Sequence, residues 1–112
     1  MIGLHTDSRS RQRIIVVGTN VITVQQVSSY CLETRAEVLP YYGLPSEEEI
    51  YLFDPDIWVM CLPIPPNLQL PTNAHLIIWE EPPAVLQAVS SRVELFTCLA
   101  ELSKLDDEIY AI

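Results

Sequence analysis

Three short apolar runs constrain the fold of this 112-residue chain more than any other feature. They lie in the segments Arg13–Gly18, Asp56–Leu62 and His75–Trp79, and glycine, proline or acidic residues stand at their ends. A strand that is apolar at every position buries both of its faces, which is typical of a parallel sheet covered by helices on each side. The sequence therefore predicts an α/β fold with these three strands at the centre of the sheet.

Two helices and one further strand are predicted between the first two runs. An amphipathic pattern extends from residue 21 to about residue 36, and Asn20 in front of it is a suitable N-cap. A short strand is expected at Glu37–Tyr42, followed by a short helix over residues 47–53 with Ser46 as its N-cap. Strands that alternate with helices imply right-handed crossovers and a doubly wound, flavodoxin-like order.

The last third of the chain departs from this alternation. Prolines 65, 66 and 71 prevent a helix of ordinary length between residues 64 and 73, so the sheet is predicted to be shortened after its third strand. Farther on, the spacing of apolar residues favours one long helix over residues 84–105. The alternative is a short helix, a strand over residues 93–99 and a closing helix over residues 100–110.

Charge and apolar content indicate a single folded domain. Hydrophobic residues make up 49% of the chain and charged residues 19%, which excludes a disordered protein. Residues 1–13 carry three arginines and one aspartate, whereas the remainder carries three basic and fourteen acidic residues. We therefore expect a flexible basic tail over residues 1–12 and one acidic α/β domain over residues 13–112.

The acidic domain argues against several classes of function. It repels phosphate backbones, so nucleic-acid binding is not expected. The apolar runs are too short to span a membrane, and the polar start of the chain does not match a signal peptide. The sequence therefore predicts a cytoplasmic protein with no membrane partner.

Metal and cofactor chemistry are not expected either. Cys31, Cys61 and Cys98 are widely separated, which in a cytosolic protein indicates free thiols rather than zinc ligands or disulfides. Gly18 follows the first predicted strand, but the next residues lack the further glycines of a dinucleotide-binding loop. The sequence thus predicts no cofactor and no metal ion.

Two blocks of the chain resemble a response-regulator receiver domain. The opening R-I-I-V-V-G-T-N-V-I-T-V-Q-Q-V-S-S-Y-C-L-E is similar to the first strand and helix of receivers. The later block L-F-D-P-D-I-W-V-M-C-L-P is similar to their third strand. The resemblance covers about residues 13–81 and implies a flavodoxin-like fold.

Other residues occupy the positions that carry receiver chemistry. The resemblance places Gly18 and Thr19 where receivers hold Mg²⁺ with two acidic side chains, and Cys61 where an aspartate accepts the phosphoryl group. Glu80 stands near the place of a hydroxyl residue, and the lysine that ends the fifth strand has no counterpart. Phosphoryl transfer then has no charge stabilisation, so a pseudo-receiver that lacks the phosphorylation residues is implied.

The sequence thus predicts a non-catalytic regulatory or scaffolding domain that acts by binding another protein, independently of phosphorylation. Ile64, Leu68 and Leu70 are the predicted interaction residues, because a stiff proline-rich loop displays them. The alternative is that these side chains cover the sheet where a helix is missing. A thinly covered sheet also favours a homodimer.

Two other classes of function compete with this interpretation. One is a small enzyme built on Cys61 and Glu80 at the carboxyl ends of the strands. A reactive thiol needs a cation or a helix N-terminus nearby, whereas the neighbours of Cys61 in the sequence are apolar. The other is an acidic inhibitor that mimics nucleic acid, which would need its acidic residues aligned on one face rather than in scattered groups.

Overall fold

The strands form one sheet in which all pairings are parallel. A computed structural model describes residues 11–63, 68, 75–80 and 89–111, and of residues 104–111 only the backbone. In these ranges the strands are β1, β2, β3 and β4, at Arg13–Gly18, Glu37–Tyr42, Ile57–Cys61 and His75–Trp79. Their order is β2-β1-β3-β4, which is compatible with a flavodoxin-like fold. The α/β class and all four predicted strands are confirmed, but β4, predicted as a central strand, stands at the end of this four-strand order.

Three helices accompany the strands in the described ranges. They are α1 (Val21–Leu32), α2 (Glu47–Phe53) and α3 (Arg92–Ala111). Asn20 and Ser46 are the N-caps of α1 and α2, as predicted, because each side-chain oxygen accepts a backbone N–H three residues later.

The first helix is shorter than predicted. It ends at Leu32 rather than near Ala36, and the chain turns at Arg35, whose φ of 67° is left-handed. The Thr34 hydroxyl donates to the Cys31 carbonyl and satisfies one of the groups that the last helical turn leaves open. The turn leads directly into β2.

The sheet separates two layers of core residues. On the first face, α1 and α3 pack over a large cluster that includes Val16, Val59 and Trp79. On the second face, a smaller cluster packs against side chains that include Ile50 of α2. The second cluster consists of Ile15, Val17, Trp58 and Met60.

The predicted sheet core is confirmed at nearly every position. Val16, Val17, Trp58, Val59, Met60 and Ile77 are buried. Ile78, on the edge strand β4, is only half-buried. Among the described residues, β4 has a full strand on one side only and the single bridge from Val89 on the other, so its side chains retain more contact with water.

The predicted long helix over residues 84–105 is wrong. Val89 forms a parallel bridge with Trp79, and its N–H donates to the Ile78 carbonyl at 2.7 Å. The alternative strand over residues 93–99 is also wrong, because α3 begins at Arg92 and includes those residues. Residues 81–88, where the short helix was expected, lie outside the described residues.

A capping box explains where α3 begins. The Ser91 hydroxyl accepts the Glu94 N–H, and the Glu94 carboxylate accepts the Ser90 N–H at 3.1 Å. The bonds that the Glu94 carboxylate accepts lower the pKa of Glu94, with the Ser90 N–H having the largest effect and the Ser91 hydroxyl adding to it. They fix the first turn of α3, which begins soon after Val89, the residue that pairs with β4.

The proline-rich segment is described only in part. Leu68 is half-buried and packs against the second-face cluster. Ile64 and Leu70 lie outside the described residues, as do residues 1–10 of the predicted basic tail. The interaction role of the three apolar side chains therefore stays a prediction, and the contact of Leu68 favours the alternative that it covers the sheet.

Candidate functional site

The edge of the sheet at the carboxyl ends of the strands is a candidate site, because ligands of doubly wound sheets bind there. The register pairs Val17 of β1 with Met60 of β3, and Cys61 of β3 with Trp79 of β4. Gly18, Cys61 and Glu80, which the sequence singled out, are thereby brought to one edge.

Gly18 and Cys61 are packed directly against each other at this edge. A Cβ atom at position 18 would lie 2.9 Å from the Cys61 Cβ and 3.0 Å from the Cys61 carbonyl oxygen. It would also lie 2.9 Å from Cγ2 of Val24 on α1. A carboxylate side chain therefore does not fit at position 18 unless the strand or the helix moves.

Neighbouring polar groups at this edge have structural partners. The Thr19 hydroxyl donates to the Pro63 carbonyl at 3.2 Å, which ties the loop after β1 to the loop after β3. The Asn20 side chain caps α1. The Leu62 N–H donates to the Trp79 carbonyl at 2.9 Å, and the peptide bond from Leu62 to Pro63 is cis. These bonds hold the three loops together.

Cys61 and Glu80 stand in different environments despite their common edge. Cys61 is buried at the end of β3, whereas Glu80 is half-exposed and its N–H donates to the Val89 carbonyl. Burial raises the pKa of the Cys31 thiol to about 12 and also raises that of Cys98, where Glu101 and Glu94 add to the effect. Neither of these two thiols is activated as a nucleophile.

The described ranges show neither a metal-binding cluster nor a helix suited to a membrane. No group of three His, Cys, Asp or Glu side chains in the described ranges is arranged to hold a metal ion. Within those ranges, no helix combines the length and the apolar character needed to cross a bilayer.

The outer side of α2 carries two strongly exposed apolar side chains next to the second layer of the core. Tyr51 is 82% exposed and Leu52 is 73% exposed, although both are next to Ile50, which packs against the second-face cluster. The first turn of the same helix carries Glu47, Glu48 and Glu49. We call Tyr51 and Leu52 with these three glutamates the α2 surface.

Apolar side chains hold α2 against the sheet beneath this surface. Tyr41 of β2 packs against the second-face cluster together with Ile50 and Leu68. Burial, together with the Glu49 carboxylate close by, raises the pKa of Tyr41 to about 12. Leu68 and Ile50 of α2 thus pack against the same second-face cluster.

Sequence reasoning missed the α2 surface for an identifiable reason. Three acidic residues in the first turn of a helix are typical of a solvated helix start and do not by themselves indicate a site. A helix of 7 residues has fewer than two full turns, so only one stripe of it can face the sheet. The adjacent apolar pair Tyr51-Leu52 in so short a helix is the signal that could have indicated an exposed apolar patch.

No family model, curated protein or solved structure matches this chain. The receiver-like interpretation therefore depends on the sequence blocks and the parallel strand order.

Proposed function

We propose that this chain is a non-catalytic regulatory or scaffolding domain that binds another protein through the α2 surface. The observation that carries the proposal is the exposure of Tyr51 and Leu52 side by side on a helix that already has an apolar anchor, Ile50. Large apolar side chains that are adjacent and exposed are typical of interaction sites.

The chemistry of the α2 surface suggests the kind of partner. Burying a leucine or an aromatic side chain contributes roughly 1.5–3 kcal/mol each before association costs. Three glutamates border the pair and would oppose an acidic partner. The expected partner presents an apolar pocket flanked by lysine or arginine.

The cytoplasm is the proposed location of this binding. Disulfide bonds do not join Cys31, Cys61 or Cys98. Free cysteines that are partly or fully buried suit a reducing compartment.

The partner interaction is tested by removing the apolar pair. We expect Tyr51→Ser combined with Leu52→Ser to weaken binding by at least about tenfold, because two buried contacts are lost. Proteins captured from native cytosol would be quantified by mass spectrometry, and the main interactor would then be titrated in purified form. Higher salt should weaken the same interaction, because it screens the glutamates from basic groups.

A matched control separates binding from general loss of exposed apolar surface. Val93 on α3 is 71% exposed, and α3 covers the other face of the sheet. Val93→Ser should retain the interactor, and both variants should melt like the unmodified chain. Retention of the same interactor by the Tyr51 and Leu52 double variant would contradict the proposal.

Independence from phosphorylation is the second part of the proposal. The tight contact between Gly18 and Cys61 and the absence of a carboxylate at position 61 support it. With a small phosphodonor and Mg²⁺ we expect no gain in mass and no change in partner binding. A stable phosphorylated species in the mass spectrum would count against this part and leave the α2 surface untouched.

A further inference from the structure

A second surface of the molecule carries no charge at all. Residues 18–32, which include all of α1, contain no charged side chain, and the same holds for residues 38–46. This is unusual in a chain whose net charge is −9. We call the outer side of α1, residues 38–42 of the edge strand β2 and residues 43–46 the neutral face.

The two uncharged segments are neighbours in the structure. The helix α1 packs against β1 and β2, and β2 is the edge strand of the sheet. Tyr30 of α1 contacts Trp79 with ring centroids 6.0 Å apart, so this side of the helix faces β4. Val21 and Leu32 lie on the opposite side of the helix, by its periodicity, and therefore toward β2.

Exposed apolar side chains are spread over the neutral face. Ile22 is 76% exposed, and Val21 and Leu32 are each about half exposed. Tyr42 pairs with Gly18 in the sheet register, so it ends β2 at the edge where α1 begins. The exposed Leu44 follows in the next turn. Exposing such a surface to water is unfavourable, and covering it lowers the free energy.

Charge decides which occupant suits this face. A strongly basic or acidic partner would find no complementary charge on it. Two copies of a chain with net charge −9 repel each other except where they can meet without bringing like charges together. We propose that a second copy of the chain docks on the neutral face, in a two-fold symmetric dimer.

The copies would meet through side chains rather than by extending the sheet. The Glu37 N–H donates to the Gln12 carbonyl, so residues 37, 39 and 41 of β2 direct their backbone groups to β1. Pro40 therefore stands at an outward-facing position, and it has no N–H to offer. Proline at such a position blocks the addition of a strand to the edge.

The size of the face predicts a weak dimer. The 12 residues of α1 span about 18 Å and the 6 residues of β2 about 20 Å. With a width of about 20 Å for the two side by side, the flat area is roughly 400 Å². Stable interfaces bury about 800 Å² per partner, so association in the micromolar range or weaker is expected. The helix α1 covers the first face of the sheet and α2 packs on the second, so the inference does not depend on the proposed function.

The test is the mass of the full chain in solution as a function of concentration. Sedimentation equilibrium between about 10 µM and 1 mM should show a rise from 12.7 kDa toward twice that mass, steeper at high salt. Ile22→Glu should weaken association by at least about tenfold, because each copy would then bury a carboxylate. Glutamate in the first helical turn favours the helix, so the fold should be retained.

Two further variants make the result decisive. Val93→Glu introduces the same charge at the same position of α3, the second residue of the helix, at a similarly exposed site. It should leave association unchanged, whereas Leu44→Asp should weaken it as Ile22→Glu does. A chain that stays monomeric at about 1 mM in high salt would overturn the proposal. So would equal weakening by the Val93 and Ile22 variants.

Discussion

Replacing Trp58 by alanine should lower the free energy of unfolding by about 3–5 kcal/mol. Trp58 is 1% exposed on β3, the strand between β1 and β4, and belongs to the second-face cluster. A domain of this size has a total stability of about 5–15 kcal/mol, so the variant would be largely unfolded at moderate temperature. Urea denaturation followed by circular dichroism measures the loss directly.

Trp58→Phe is the matched control for this prediction. The indole N–H of Trp58 has no hydrogen-bond partner among the described residues, so its removal costs no hydrogen bond. Phenylalanine keeps most of the apolar contact, and the expected loss is about 1–2 kcal/mol. A Trp58→Ala variant that unfolds at the same urea concentration as the unmodified chain would show that the second layer is not part of the core.

Alkaline pH should destabilise the chain to a similar extent. Burial raises the pKa of Cys31 from 9.0 to about 12. Above pH 9 the unfolded chain loses this thiol proton while the folded chain keeps it, so stability falls as the pH rises from 9 to about 12. At about pH 12 this rise in the pKa of Cys31 corresponds to a loss of roughly 4 kcal/mol in the free energy of unfolding. Tyr41, whose pKa is also raised to about 12, acts in the same direction above pH 10.

Cysteine variants identify the source of the alkaline effect. Urea denaturation of the unmodified chain at several pH values should show a decline in stability that Cys31→Ala largely removes. Cys98→Ala should leave most of the decline in place, because Cys98 is less buried than Cys31. A decline that is identical in Cys31→Ala would assign the alkaline sensitivity to another group.

Local signals were sufficient for most of the fold. Apolar runs on both faces identified β1 and β3, because only strands between two helical layers can bury every side chain. The apolar run at β4 also identified a strand, although Leu76 is 48% exposed there. Asn20 and Ser46 located the start of α1 and α2, since an N-cap acts within a single turn.

The beginning of α3 could not be derived from periodicity alone. Val89 fits the three- and four-residue spacing of a helix that continues to Leu102. Its N–H and carbonyl bond instead to Ile78 and Glu80, which are far away in the chain. Hydrogen bonds to a neighbouring strand outweigh a local helical pattern, although the capping box at Ser91 and Glu94 marks the correct boundary.

By itself the sequence determined the alternation of strands and helices, the acidic domain and the absence of carboxylates at positions 18 and 61, because these follow from residue type and spacing. Only the tertiary structure decided that Gly18 touches Cys61, that Leu68 packs inward, and that Tyr51 and Leu52 stay in water. The physical reason is that close approach and exposure depend on strand register and on which stripe of a short helix meets the sheet. Both are set by contacts between residues that are distant in the chain.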